Sequence, residues 1–199
     1  GKTGLKQVIV TNLVDLLPFW KRYLGLLFDK IPHGKVEKNS HVHAFKTLLG
    51  RPPLKSPVPL DSWKDLSYIL YTGGTTGFPK GVPGNHIGMT SYVNDVTEDV
   101  AGDFLREGAD VYIAVNPLFH IMALGLFMSL GLNKGNTTLL MPVPQVDAIL
   151  ETIQRYRTRW LLGVPALYRM ILENDRLDRY DLSSLTYCYC GGDVLPIEV

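Results

Sequence analysis

The sequence predicts an α/β fold in which a parallel sheet carries helices on both faces, a three-layer arrangement. Three observations carry this expectation. From Leu66 onward, apolar runs of strand length alternate with stretches of mixed polarity long enough for helices. The alternation repeats about five times, the pattern of a sheet crossed over by helices. The glycine-rich and chemically unusual residues fall just after the apolar runs, at the carboxyl ends of strands where such sheets bind ligands.

The expected strands are Tyr68–Thr72, Val111–Val115, Thr137–Met141, Trp160–Val164 and Thr186–Cys190. Between them the pattern predicts helices around His86–Val100, Met122–Leu132, Asp147–Arg157 and Pro165–Asn174. Asp147 suits an N-cap, because its carboxylate can accept from the free amides of a first turn, and Pro165 suits a first helical position. Upstream, Leu5–Thr11 reads as a short buried strand. Residues 12–62 read as irregular, broken by Pro18, Pro32, Pro52, Pro53, Pro57 and Pro59, with one short helical candidate at His43–Leu49. The expected organisation is a strand plus a Pro-rich basic connecting segment over 1–62, followed by an α/β region over 63–199.

At 199 residues, with 46% hydrophobic and 20% charged residues, the chain can bury a core and is not expected to be disordered over most of its length. Net charge is only +1, but residues 1–55 hold ten Lys/Arg against three Asp/Glu, and residues 56–199 hold ten against sixteen. The basic residues cluster in the Pro-broken part, which argues against a nucleic-acid surface. Within that part, residues 12–30 interleave Phe19, Trp20, Tyr23, Leu24, Leu26, Leu27 and Phe28 with basic residues, as peripheral contact with an anionic membrane requires. The alternative is that these apolar side chains pack under another portion of the protein; Pro18 and Gly25 favour it by interrupting a continuous amphipathic helix.

No apolar run approaches the roughly 18 residues of a membrane-spanning helix, and the first residues lack a signal-peptide layout. The absent initiator Met and the stop at Val199 soon after a Gly-Gly turn and a Pro are expected of a chain cut at both ends. Cys188 and Cys190 lie in one apolar run with no second cluster, and are expected to be buried thiols of a cytoplasmic protein. His33, His41 and His43 do not have the spacing of a metal site, and no Gly-x-Ser-x-Gly elbow points to a serine hydrolase.

The most informative stretch is Tyr71-Thr-Gly-Gly-Thr-Thr-Gly-Phe-Pro-Lys-Gly-Val82. Gly73, Gly74 and Gly77 allow backbone amides to close on an anion, Thr72, Thr75 and Thr76 offer hydroxyls, and Lys80 adds a full positive charge. That combination is a phosphate cradle, suited to a triphosphate tail. It is not a Walker A loop, because Lys80 is followed by Gly81 and not by a Ser or Thr opening a helix, and it does not fit the dinucleotide Gly-x-Gly-x-x-Gly spacing. An ordinary surface turn does not need so many small and hydroxyl residues closed by Pro-Lys-Gly.

Tyr71–Val82 resembles the signature of the adenylate-forming superfamily of acyl-CoA synthetases, peptide-synthetase adenylation domains and luciferases, with Gly73 where the family commonly has Ser. Asn116-Pro-Leu-Phe-His-Ile121 resembles the segment whose aromatic and His line the mouth of the acyl pocket, and Gly163-Val-Pro-Ala-Leu-Tyr168 resembles the stretch preceding the adenine region. Gly191-Gly-Asp-Val-Leu-Pro196 resembles the turn bordering the adenine, with Asp193 and Val194 in place of the usual Ala-Pro. Val8-Ile-Val and Asp15-Leu-Leu-Pro18 are similar to the stretch upstream of the loop in fatty acyl-CoA ligases, and Asn39-x-His-x-His-x-Phe45 is similar to long-chain members.

The resemblance implies part of the large N-terminal domain of an acyl-CoA synthetase-like fold. It implies an enzyme that uses ATP with Mg²⁺ to turn a carboxylic acid, a fatty acid by preference, into an acyl-adenylate and then a thioester of coenzyme A. By the same resemblance Thr72, Gly73, Gly74, Thr75, Thr76, Gly77 and Lys80 would hold the phosphates, with Thr76 also at the metal. Gly191, Gly192 and Asp193 would border the nucleotide, and Lys80 and His120 would be catalytic. The family's Tyr-Gly-x-Thr-Glu segment, ribose-binding Asp and mobile carboxy-terminal domain do not occur before Val199, so residues 1–199 alone are expected to be inactive. Two other readings stay open: an enzyme of the family that loads a carrier protein or resembles luciferase, and a non-catalytic nucleotide-binding or interaction module.

Overall fold

The computed structural model describes residues 4–12, 14–28, 36, 39–73, 77–141 and 143–197. The chain divides into two compact units, Gly1–Pro59 and Leu60–Val199.

In the first unit, β1 (Val8–Val10) pairs in parallel with β2 (Val42–Ala44), Val8 opposite Val42 and Val10 opposite Ala44. The expected buried strand is not buried: Val8 and Ile9 are exposed, because among the described residues no layer covers the two-stranded ribbon. His41 and His43 are spent on local bonds, Nδ1 of His41 to the Lys6 carbonyl at 3.1 Å and Nε2 of His43 to Gln7 Oε1 at 2.5 Å; His33 lies outside the described residues. A nine-residue helix, α1 (Phe19–Leu27), occupies part of the stretch read as irregular. Pro18 does not break it. It precedes the first turn, where a missing N–H is harmless, and its carbonyl accepts from Arg22 N at 3.1 Å. A short helix, α2 (Phe45–Leu49), follows β2 directly and starts two residues later than the sequence suggests, because Val42–Ala44 is taken into the ribbon.

The second unit holds a four-stranded parallel sheet in the order β6-β5-β7-β8: β5 (Val111–Ala114), β6 (Thr137–Leu140), β7 (Trp160–Gly163) and β8 (Tyr187–Cys190). Successive strand residues point to opposite faces, and both faces are apolar. On one face Tyr112, Ala114, Trp160 and Leu162 pack with Val96, Ala101, Leu126 and Leu130. On the other, Ile113, Val115 and Leu161 pack with Ile149, Leu150, Ile153, Leu167 and Ile171. The expected three layers are therefore present. The first face is covered by α3 (His86–Asp95) and α4 (Ile121–Leu126), each continuing into wider π-type turns, Val96–Ala101 and Phe127–Asn133. The second is covered by α5 (Val146–Tyr156) and α6 (Pro165–Leu172).

Three expectations need correction. The strand around Tyr68–Thr72 does not join the parallel sheet: β3 (Leu66–Tyr71) pairs antiparallel with β4 (Gly81–Asn85), Tyr71 opposite Gly81 and Tyr68 opposite Gly84. Asp147 is not an N-cap. Gln145 holds that position without a side-chain bond, while Asp147 accepts from Asn174 and Tyr180 (3.2 Å each) and pairs with Arg176 at 2.7 Å, so long-range partners outbid the local amides. The two cysteines are not fully buried: Cys188 is exposed and Cys190 half-buried, because among the described residues β8 has a neighbouring strand on one side only. Pro165 does sit in the first turn of α6.

At the amino ends of the strands, Asp110 is 1% exposed. Its carboxylate accepts from Trp160 Nε1 at 2.8 Å and Arg106 N at 2.9 Å and pairs with Arg159. Its carbonyl accepts from Thr137 N at 3.0 Å, so one residue ties the starts of β5, β6 and β7 and leaves their carboxyl ends for chemistry. Among the described residues no helix is long and apolar enough to cross a membrane.

Candidate active site

The glycine–threonine loop is borne by the β3–β4 ribbon and pinched at its neck. Thr72 N donates to the Lys80 carbonyl at 3.0 Å, and Lys80 N donates to Thr72 Oγ1 at 3.1 Å. The threonine oxygen serves as acceptor in that bond, so its own hydrogen stays free to donate to an anion. Between the two feet, Gly74, Thr75 and Thr76 lie outside the described residues. A Cβ at Gly73 or Gly77 would meet nothing within 4 Å, so packing does not demand glycine at either position, whereas close approach of a ligand to backbone amides would.

Thr72 and Gly73 open onto a cavity of about 320 Å³ lined also by Tyr68, Leu70, Tyr71, Val82, Phe119, His120 and Ile121. His120 reaches it from the parallel sheet, six residues past the end of β5, in the turn that starts α4. Its backbone N donates to the Pro117 carbonyl at 2.9 Å, and its Nδ1 accepts from Met122 N at 3.3 Å. Acceptance at Nδ1 puts the proton of the neutral ring on Nε2, which makes that nitrogen a donor. Two separately predicted features, the loop and the histidine, thus share one cavity.

The Gly191–Gly192 turn follows β8. Gly191 N donates to the Gly163 carbonyl at 3.2 Å, and Gly192 takes φ +85°, a left-handed conformation that favours glycine. A Cβ at Gly191 would lie 3.4 Å from Met122 Sδ, so the turn abuts the start of α4 two residues beyond His120. Asp193 is exposed and accepts from its neighbour Val194 N at 2.8 Å. The turn, Gly77 and Lys80 do not line the cavity. From α6, the Tyr168 hydroxyl spans the backbones of β7 and β8, with the Leu161 carbonyl at 2.8 Å and the Tyr189 carbonyl at 2.9 Å. Burial pushes its ionisation well above the usual phenol range, so it is a donor at every working pH.

Tyr68, Leu70 and Val82 were not singled out from the sequence. Alternation along β3 could have marked Tyr68 and Leu70 as one face, but which face meets the cavity depends on the ribbon's register. Among the described residues no cluster of three or more His, Cys, Asp or Glu could hold a metal ion, and Thr76 lies outside them.

Comparison with known proteins agrees with the geometry. The family described as AMP-binding enzyme matches residues 11–199. A long-chain-fatty-acid–CoA ligase of Bacillus subtilis (strain 168) is 31% identical over 97% of this chain, and the chain spans 35% of that ligase, about a third of its length. Among solved structures, a long-chain-fatty-acid-CoA ligase from Archaeoglobus fulgidus superposes with a TM-score of 0.67 at 20% identity, covering 97% of this chain and 37% of that one. The N-terminal domain of FACL13 from Mycobacterium tuberculosis gives 0.62 at 24% identity, covering 80% and 39%. These two share the fold, that of the N-terminal region of acyl-CoA synthetase-like enzymes. With the loop, the histidine and the Gly-Gly turn arranged at the carboxyl ends of strands, and with the family match running over nearly its whole length, the chain belongs to the AMP-binding enzyme family.

Proposed function

We propose that this chain takes part in ATP-dependent activation of a carboxylic acid, a fatty acid by preference, to an acyl-adenylate that coenzyme A then captures as a thioester. The observation that carries the reading is the shared cavity: Thr72 and Gly73 of the anion-binding loop open onto the same largely apolar space as His120. A carboxylate resists attack because its oxygen leaves poorly. In the proposed reaction a carboxylate oxygen attacks the α-phosphorus of ATP, and the bond to pyrophosphate breaks. The coenzyme A sulfur then attacks the acyl carbon, loses its proton, and AMP departs with the bonding electrons.

Two anions must meet in the first step, so oriented donors and positive charge are required where pyrophosphate builds up charge. Thr72, Gly73, Gly74, Thr75, Thr76, Gly77 and Lys80 would supply them, and Nε2–H of His120 would hold the carboxylate end of the acid. The Gly191–Asp193 turn would border the adenine. Mg²⁺ enters this reading with ATP; no donor cluster among the described residues fits it, and no step is assigned to it. In domain terms, residues 63–199 would be the nucleotide-binding region and 1–62 a connecting segment.

The test is acid-dependent ATP–pyrophosphate exchange by the natural full-length protein, with acids of increasing chain length. Lys80→Ala should reduce exchange at least about a hundredfold, the usual scale for one oriented charge in a transition state. Wild-type exchange that ignores the acid, or a Lys80→Ala protein that exchanges normally, sinks the reading.

Cytoplasmic location with peripheral membrane contact through residues 12–30 is part of the proposal; Leu13, Asp29 and Lys30 of that stretch lie outside the described residues. Support comes from α1, where Phe19, Trp20, Tyr23, Leu24 and Leu27 are exposed beside Lys21 and Arg22, with no acid in the helix. Equal sedimentation with anionic and neutral vesicles would dispose of the electrostatic part.

A further inference from the structure

One wall of the cavity that His120 lines is set by an unusual pairing. Tyr68 on β3 stands across from Gly84 on β4, and the phenol ring lies against the bare backbone of that glycine. A Cβ at Gly84 would overlap the ring at Cζ and lie 2.5 Å from the hydroxyl oxygen, so with the ring in this place there is no room for a side chain at position 84. An aromatic ring covering a cross-strand glycine gains packing area from both strands and is fixed by it. The same ring is a wall of the 320 Å³ cavity, together with Leu70, Val82, Phe119 and Ile121.

We propose that Tyr68, seated on Gly84, is a specificity-determining residue that limits the width of the acyl group next to its carboxylate. The inference rests on the function proposed above. The polar groups of the cavity, Thr72, Gly73 and His120, fix where the acid's head would sit, and the remaining lining is aliphatic or aromatic. The first carbons beyond the carboxyl group therefore run against this lining. An unbranched methylene chain is narrow and passes a fixed ring; a phenyl group joined close to the carboxylate does not. A wall backed by the neighbouring strand penalises excess width, because the ring cannot retreat toward β4 without meeting the backbone of Gly84.

The measurement is kcat/KM of the full-length protein for dodecanoate and for 3-phenylpropenoate, in wild type, Tyr68→Ala, Tyr68→Leu, Tyr68→Phe and Gly84→Ala. Tyr68→Ala should raise the ratio of phenylpropenoate to dodecanoate by about tenfold or more, the discrimination typical of a change of pocket size by a small apolar group. Tyr68→Leu, which keeps the ribbon packed, should move it in the same direction by less. Tyr68→Phe should leave the ratio within about twofold of wild type, since the ring and not the hydroxyl sets the width. Gly84→Ala unseats the ring and should change the ratio without changing the residue at 68. The KM for ATP should be constant across the set, which a general loss of structure would not allow. Normal acid-dependent exchange with the wild-type ratio kept in both Tyr68→Ala and Tyr68→Leu overturns this inference alone. No acid-dependent exchange in wild type overturns the proposed function, and this inference with it.

Discussion

Replacing Asp110 with Ala is the sharpest perturbation of the fold away from the candidate site. The carboxylate is 1% exposed and holds three donors at once: the Arg159 guanidinium, Trp160 Nε1 at 2.8 Å and Arg106 N at 2.9 Å. Arg159 is itself only 14% exposed, so removing its partner leaves a poorly hydrated charge, a loss of about 3–5 kcal/mol. The stranded indole N–H of buried Trp160 places the total toward the upper part of that range. For a chain of 199 residues, each kcal/mol lowers Tm by about 2–4 °C, so a fall of about 6–20 °C is expected. Asp110→Asn keeps an oxygen for the indole but gives up the charge, and should lose about half as much. Urea unfolding of the chain followed by tryptophan fluorescence measures it, with Trp160 stacked on Tyr187 at 4.4 Å as a local reporter. A loss below about 1 kcal/mol for Asp110→Ala would refute the claim that this residue ties the sheet, because that is the scale of an exposed pair.

The neck of the loop makes a second prediction: Thr72→Val keeps the shape but removes the acceptor for Lys80 N and the free hydroxyl, and should raise KM for ATP about tenfold, read from initial rates of the full-length protein. An unchanged KM would mean that the neck does not shape the nucleotide site. Asp181 carries a pH prediction. The Ser183 hydroxyl first, then the Ser183 amide and Arg157 hold its carboxyl down at about 2, below the usual value of 3.8. A depressed carboxylate stabilises the fold at pH above its unfolded value, and that contribution disappears as pH falls from about 4 through about 2. Carbon-detected titration of Asp181 should show the low midpoint, and Ser183→Ala should raise it; a midpoint near 4 in the unaltered chain contradicts the assignment.

The parallel sheet was legible because its strands are apolar on both faces, as Trp160-Leu-Leu and Val111-Tyr-Ile-Ala show, and a run buried on both sides has no alternation to misread. The ribbon was not. Gly81-Val-Pro-Gly-Asn85 contains two glycines and a proline, residues that ordinarily end strands, yet it pairs with β3 as β4, with the Tyr68 ring lying over Gly84. Local rules failed in the same way at Asp147, whose capping chemistry is diverted to Tyr180 and Arg176 from a distant loop, and at Pro18, which reads as a break but stands one residue before α1. At the candidate site, Thr72, Gly73 and His120 could be named because their chemistry is unusual for their positions. Tyr68 and Leu70 could not, because an aromatic or aliphatic residue acquires a role there only once the two strands are in register.

Among the described residues the ribbon that bears the loop shares no strand pairing with the four-stranded sheet that bears His120. The two sides of the cavity can therefore tilt against each other without breaking a ladder hydrogen bond in either. Such a tilt would slide side chains across α3, which touches both strands of the ribbon and also α4. What resists it is the hinge at Asn85, where β4 passes directly into α3 and where Ile87 N donates to the Ser62 carbonyl at 3.0 Å, so the ribbon and the helix beside it would have to turn as one piece.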